Sequence, residues 1–139
     1  MKNTRPLRKT RDFSAVYKNG ASAANRRLVM LIMENGLPYN RLGISVSKKV
    51  GGSVVRSRVK RLIREAYRLS EGEFTGALKP GAAERGEASG LSLGLDIVFV
   101  ARPACAGLSF EEITRSAAQL ARRSGRFGKN DGSGNPDGQ

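Results

Sequence analysis

The stretch from Val50 to Leu69, VGGSVVRSRVKRLIREAYRL, constrains the fold more than any other part of the chain. At 100° per residue Val55, Val59, Leu62, Ile63, Ala66 and Leu69 fall within a sector about 120° wide, an apolar stripe suited to packing on a sheet. Arg56, Lys60, Arg61, Arg64 and Arg68 occupy the opposite sector. Arg58 lies at the edge of the stripe beside Glu65, so it either reaches around the helix or makes a structural contact. A basic helix face is most simply a solvated one, but there acids normally alternate with the cations. Here Glu65 is the single acid, and cations at i, i+4 and i+8 accept like-charge repulsion of roughly a few tenths of a kcal/mol per pair. That arrangement favours a phosphate-bearing partner. A membrane-surface helix needs bulky residues free to enter lipid, whereas this seam of Val, Leu, Ile and Ala is sized for a sheet.

The charge is concentrated on one part of the chain. Of 25 basic and 12 acidic residues, 17 and 3 lie in Met1–Leu69, a net of +14 there against −1 in the remainder. Such a distribution points to a polyanion, because each phosphate neutralised by Lys or Arg releases condensed counterions. Nucleic acid leads as the partner. A chain of 139 residues suits one domain with a modest core. No apolar run approaches the roughly 18 residues of a membrane span, and MKNTRPLRKTRDF lacks the apolar middle of a secretory signal, so a soluble cytoplasmic protein with no membrane partner is expected. Cys105 is the single cysteine and histidine is absent, which removes an internal disulfide, a cysteine zinc cluster and the commonest general base. Asp12, Glu65 and Asp96 are scattered and suggest no metal-binding carboxylate cluster, so a nuclease acting by itself is disfavoured.

Around the basic helix the pattern alternates between periods of 3.6 and 2. Thr10–Asn19 reads as a short amphipathic helix with Thr10 as its cap and Gly20 as its stop, and with Phe13, Val16 and Tyr17 on one face. Arg27–Asn35 and Arg41–Lys49 read as two strands joined through NGLPYN as a hairpin. In the second of these Leu42, Ile44 and Val46 face the core, which turns Arg41, Gly43, Ser45, Ser47 and Lys49 to the other side of the sheet. Ser70–Gly94, with six glycines and Pro80, reads mostly as a surface loop. Leu95–Arg102 is a third strand halted by Pro103. The last helix opens on a capping box of Ser109 and Glu112 with a Leu108–Ile113 staple, and runs to about Arg123. One domain over residues 1–123 is expected, followed by a disordered tail over 124–139.

Phe13 and Tyr17, one turn apart, are either core anchors of the first helix or rings that stack on unpaired bases, and the sequence leaves both readings open.

The run RLGISVSKKVGGSVVRSRVKRLIREAYR resembles the signature region of the protein component of bacterial ribonuclease P. That family typically has a Ser-x-Ser-Lys-Lys strand end, a Val/Ile-Gly turn, and an Arg-Asn-Arg motif followed by x-Lys-Arg-Leu-x-Arg-Glu. PLRKTRDFSAVYKNG, the ANR that follows it and DIVFVARP extend the resemblance to roughly 95 of the 139 residues. It implies an α/β sandwich: a small, mostly antiparallel sheet with a left-handed βαβ crossover, the basic helix packed on the sheet, a short N-terminal and a longer C-terminal helix. That handedness is rare.

It also implies a subunit of an endoribonuclease holoenzyme that removes the 5′ leader of precursor tRNA. The partners are a catalytic RNA subunit and precursor tRNA. The RNA uses Mg2+ and performs the cleavage, while the protein binds no cofactor alone and carries no catalytic residue. Carried over position by position, Arg56, Ser57, Arg58, Lys60, Arg61, Arg64 and Arg68 fall on the surface that binds the RNA subunit. Phe13, Tyr17, Ser45, Ser47, Lys48 and Lys49 fall in a leader-binding cleft between the first helix and the sheet, and Asn25 and Arg26 match an Asn-Arg pair before the first strand. Ser57 stands where the family usually has asparagine, Leu31 where members often have an aromatic, and the insert after the basic helix is longer than usual. The alternative is a standalone RNA- or DNA-binding module, ribosome-associated for example, with no part in tRNA cleavage.

Overall fold

The structure, a computed structural model, describes residues 4–74 and 94–122. In chain order these form β1 (Thr4–Pro6), α1 (Thr10–Asn19), β2 (Ala21–Ala24), β3 (Leu28–Glu34), β4 (Asn40–Val46), α2 (Ser53–Phe74), β5 (Leu95–Ala101), a 3-10 turn (Pro103–Cys105) and α3 (Phe110–Ala121). The segment Ser70–Gly94 is not all loop: residues 70–74 continue α2, with Ser70 and Glu71 buried, while residues 75–93 and the tail lie outside the described residues. No described helix is long and apolar enough to cross a membrane.

The five strands make one sheet in the order β1-β4-β5-β3-β2. It is mixed, with two antiparallel pairings (β2 with β3, β3 with β5) and two parallel ones (β1 with β4, β4 with β5). The expected β3–β4 hairpin does not form, because β5 lies between the two strands. NGLPYN spans that extra width instead of reversing tightly. The Asn35 side chain accepts from Leu37 N (2.8 Å) and donates to Tyr39 O (3.2 Å), while Gly94 N donates to Leu37 O and Leu95 N to Asn40 Oδ1. The segment is thus a socket for the start of β5. With β4 and β5 parallel and adjacent, α2 is the crossover of a βαβ unit.

The two faces of the sheet are covered differently. On one, Leu28, Met30, Ile32, Leu42, Val46, Ile97 and Phe99 meet Val59, Ile63, Ala66 and Tyr67 of α2 and Ile113, Ala117 and Leu120 of α3 in the main core. On the other, α1 packs through Val16 onto Leu31 and Val98 in a smaller cluster that includes Leu7 and half-buried Phe13. α1 runs over the residues its periodicity indicates, but Thr10 is its first helical residue and not its cap. Lys9 takes the N-cap with no side-chain bond, and Asp12 supplies the negative charge that the helix dipole favours in the first turn. Gly20 ends the helix by close approach: a Cβ there would stand 2.6 Å from Val16 O and 2.8 Å from Ile32 O.

α3 carries the capping box its sequence announces, with Ser109 Oγ accepting from Glu112 N (3.1 Å) and Glu112 Oε1 accepting from Ser109 N (2.9 Å). These bonds hold the Glu112 carboxyl below its ordinary pKa, so what they contribute is present at neutral pH and fades as pH falls through the lowered value. The helix stops at Ala121, short of Arg123.

α2 departs from its helical projection in its second half. Leu69 belongs to the apolar stripe by sequence but is 56 % exposed, whereas Tyr67, Ser70 and Glu71 are buried. The cause is β1, which lies beside β4 and covers that flank of the helix. Thr4 Oγ1 sits 2.7 Å from the Tyr67 hydroxyl and also bonds the Glu71 carboxylate. Burial pushes the Tyr67 hydroxyl up to about 12.

Candidate nucleic-acid interface

The α1 face of the sheet resolves into three rows of side chains running across the strands. Strand register sets Arg41, Asp96 and Met33 in the first row, Gly43, Val98, Leu31 and Ser22 in the second, and Ser45, Val100, Val29 and Ala24 in the third. Each row has a different fate. In the first, Arg41 grips the buried Asp96 with two bonds of 2.8 Å, from Nε to Oδ1 and from Nη2 to Oδ2, and Asn35 Nδ2 donates to the same carboxylate. Arg41 Nη1 also reaches Asp12 of α1 at 3.4 Å. The bond to Asp96 raises the Arg41 pKa against the opposing effect of burial. Asp12 and Asp96, distant in sequence, are therefore neighbours around one guanidinium, which grips Asp96 closely, reaches Asp12 at 3.4 Å and so ties α1 to the sheet.

The second row, apart from exposed Ser22 at its β2 end, lies under α1. A Cβ on Gly43 would fall 2.5 Å from Cζ of Phe13, so glycine is what lets the ring lie on the strand. Leu31 is buried in the same cluster as Val16 and Val98, so at this departure from the family pattern the side chain serves the seam between helix and sheet. The third row is half-exposed throughout, an apolar floor with one hydroxyl. Tyr17 stands one turn beyond Phe13, with ring centroids 6.4 Å apart, and is 48 % exposed. Beyond Ser45 the strand gives way to an exposed turn at Ser47, Lys48 and Lys49, in which Lys49 N donates to Ser47 Oγ. Of the six cleft residues, Phe13 lies over Gly43 and half inside the core, Ser45 is half-exposed in the third row, and Tyr17, Ser47, Lys48 and Lys49 are exposed.

The α2 residues divide. Lys60, Arg61 and Arg64 are exposed, and among the described residues no acid pairs with them. Arg56 folds back on the helix start, Nε donating to Gly51 O (3.1 Å), and Arg68 pairs with Glu65 (2.9 Å). Arg58 makes the structural contact its position suggested: Nη2 donates to Leu108 O at 2.8 Å, joining α2 to the approach of α3. Ser57 is exposed between them. Asn25 is a joint in the fold, its Oδ1 accepting from Arg27 N and Leu28 N and its Nδ2 donating to Ser116 O and Gln119 Oε1. Arg26 beside it is exposed.

The sequence reading missed a second basic surface. A groove of about 560 Å3 runs between β1 and α2, lined by Arg5 and Arg8 on one side, Lys60 and Arg64 on the other, and Leu42, Gly43, Ile44 and Phe13 along its floor. The three-residue β1 carries a proline and gives almost no strand signal, so nothing local linked Arg5 and Arg8 to a helix more than 50 residues away.

Comparison with known proteins adds three findings. A family model described as Ribonuclease P matches residues 1–125. The chain is 43 % identical over 123 residues to the ribonuclease P protein component of Alkaliphilus metalliredigens, covering 88 % of this chain and 96 % of that one, and 44 % identical over 120 residues to that of Clostridioides difficile, covering 86 % and 91 %. Among solved structures it resembles the ribonuclease P protein of Thermotoga maritima (TM-score 0.67, 30 % identity, covering 86 % and 96 %) and that of Staphylococcus aureus (TM-score 0.65, 31 % identity, covering 83 % and 90 %).

Proposed function

The chain belongs to the bacterial ribonuclease P protein family, a component of the tRNA-processing ribonuclease, and from that premise we propose a division of labour over its surface. The cationic face of α2, with Lys60, Arg61 and Arg64 as its free charges and Arg56, Ser57, Arg58 and Arg68 around them, docks on the catalytic RNA subunit. The cleft of Phe13, Tyr17, Ser45, Ser47, Lys48 and Lys49 holds the single-stranded 5′ leader of precursor tRNA. The observation that carries this reading is the contrast within one sheet face: α1 closes over Gly43, Val98 and Leu31 of the second row and leaves the third half-exposed, while Tyr17 and the turn of Ser47, Lys48 and Lys49 are exposed.

The chemistry suits an unpaired RNA strand. Its bases find an aromatic and apolar surface, which stacks any base with little regard to sequence, and its phosphates find lysines. Cleavage in this reading is performed by the RNA with the magnesium ions it holds. The protein's part is electrostatic: its cations offset repulsion between two polyanions, the catalytic RNA and its substrate, and so lower the magnesium required. The same surface on a standalone RNA-binding module would give no such effect on cleavage.

The test combines the purified protein with a bacterial ribonuclease P RNA and precursor tRNA at low magnesium. Strong stimulation of 5′ cleavage, with none by protein alone, is expected; no effect on cleavage overturns the proposal. Arg61→Glu is expected to weaken assembly with the RNA and flatten its salt dependence.

A further inference from the structure

The groove between β1 and α2 has three properties in combination. Its charge has one sign among the described residues: Arg5, Arg8, Lys60 and Arg64 line it, no acid does, and Arg8, Lys60 and Arg64 have no acid partner there. Its volume of about 560 Å3 lies within the roughly 300–1,000 Å3 of ligand-binding clefts. It also contains unpaired strand edge. β1 pairs with β4 only as far as Leu42, whose O accepts from Leu7 N at 2.8 Å, while β4 continues to Val46. Alternation along a parallel strand turns the N–H and C=O of Ile44 to the same side as those of Leu42, where among the described residues no strand follows.

An open edge normally invites another strand of protein. Four flanking cations and no acid alter the preference, because a backbone N–H beside guanidinium groups is a donor set for phosphate oxygens. Arg5 is already held for this, its guanidinium stacked 4.1 Å from the centroid of the Tyr39 ring. Phe13 belongs both to the groove and to the leader cleft, so the two surfaces meet at this ring without being the same site.

We propose that the β1–α2 groove is a second RNA-binding site, holding the phosphodiester backbone of a short unpaired RNA segment on Arg5, Arg8, Lys60 and Arg64 and on the edge N–H of Ile44. The proposal rests on the reading of the protein as an RNA-binding subunit and adds to it a surface on the far side of Phe13. Two RNAs offer the required chemistry, an unpaired stretch of the RNA subunit and the precursor's leader.

The experiment compares Arg5→Ala/Arg8→Ala with Arg11→Ala/Lys18→Ala, a control that removes equal charge from the exposed surface of α1. Binding is measured over a salt series, first to the RNA subunit, then by the assembled holoenzyme to precursor tRNA and to mature tRNA. The groove variant is expected to lose roughly tenfold in affinity at moderate salt and to reduce the salt slope by about 1.4, the value for two single-strand phosphate contacts. The control is expected to change both far less. Loss toward the RNA subunit assigns the segment to that RNA, and loss only toward leader-bearing precursor assigns it to the leader. Arg5→Lys/Arg8→Lys should retain binding, and Arg8→Glu tests the groove without disturbing the Arg5–Tyr39 stack. Groove variants that match the control in every arm overturn the proposal. Arg61, outside the groove, separates the two readings: a loss with Arg61→Glu but none with the groove variants removes the groove alone, whereas unchanged assembly with Arg61→Glu removes the RNA-docking role of α2.

Discussion

One face of the sheet is closed and the other half open, and the two differ in what their side chains are for. Beneath α2 and α3, Phe99, Ile97, Met30 and Leu28 are fully buried in a single apolar core. Beneath α1 the cluster is small, one row is held by an ion pair, and one row is left half-exposed. A ten-residue helix cannot cover what two longer helices cover. The closed face therefore supplies most of the stability, and the other keeps half-exposed apolar surface.

Mutations at graded positions test that separation. Phe99→Ala, in the closed core, is expected to cost about 3–5 kcal/mol in chemical denaturation, with RNA affinity of the folded fraction unchanged. A cost below about 1 kcal/mol would break the contrast between the faces. Arg41→Met leaves Asp96, 1 % exposed, without its counter-charge and should cost about 2–3 kcal/mol. Adding Asp96→Asn should recover part of that loss, which distinguishes a stranded charge from a general packing defect.

Gly43→Ala pushes a methyl group into the Phe13 ring and is expected to cost about 1–2 kcal/mol by overpacking. It should also weaken binding of leader-bearing substrate more than of mature tRNA, since the displaced ring is a wall of the cleft. Tyr17→Ala is the sharpest case. Exposed on the open face, it should alter stability by less than about 0.5 kcal/mol while reducing affinity for leader-bearing precursor by about 1–3 kcal/mol, read by titration against mature tRNA. An equal loss for both RNAs would place Tyr17 outside leader recognition.

What was legible in the sequence was whatever depends on neighbours a few residues apart. The face of α1, the capping box of α3 and the alternation that turns Arg41, Gly43 and Ser45 from the main core are local patterns, and the structure carries them. The pairing of β3 and β4 was misread because a turn-rich hexapeptide looks alike whether it reverses the chain at once or spans an intervening strand. β1 and β2, three and four residues long and built of proline, small and polar residues, have too little apolar alternation to register. From the omission of β1 follow the burial of Tyr67, the exposure of Leu69 and the groove beside Arg5. The proposed cleft residues were named through the family pattern; alternation by itself turned only Ser45, Ser47 and Lys49 from the main core, and of these Ser45 lies in the half-exposed row while Ser47 and Lys49 belong to the exposed segment after the strand. The ion pair of Arg41 escaped notice because its partner Asp96 is 55 residues away.

The place of β5 between β3 and β4 also sets a timetable. A nascent chain emitting β3, β4 and the basic helix has made two strands that cannot pair with each other, and the strand that joins them begins only at Leu95. Until it arrives, the apolar stripe of α2 has no completed surface to settle on. Such long-range closure makes for a slow-folding topology, so the domain should acquire its structure late in synthesis and nearly all at once.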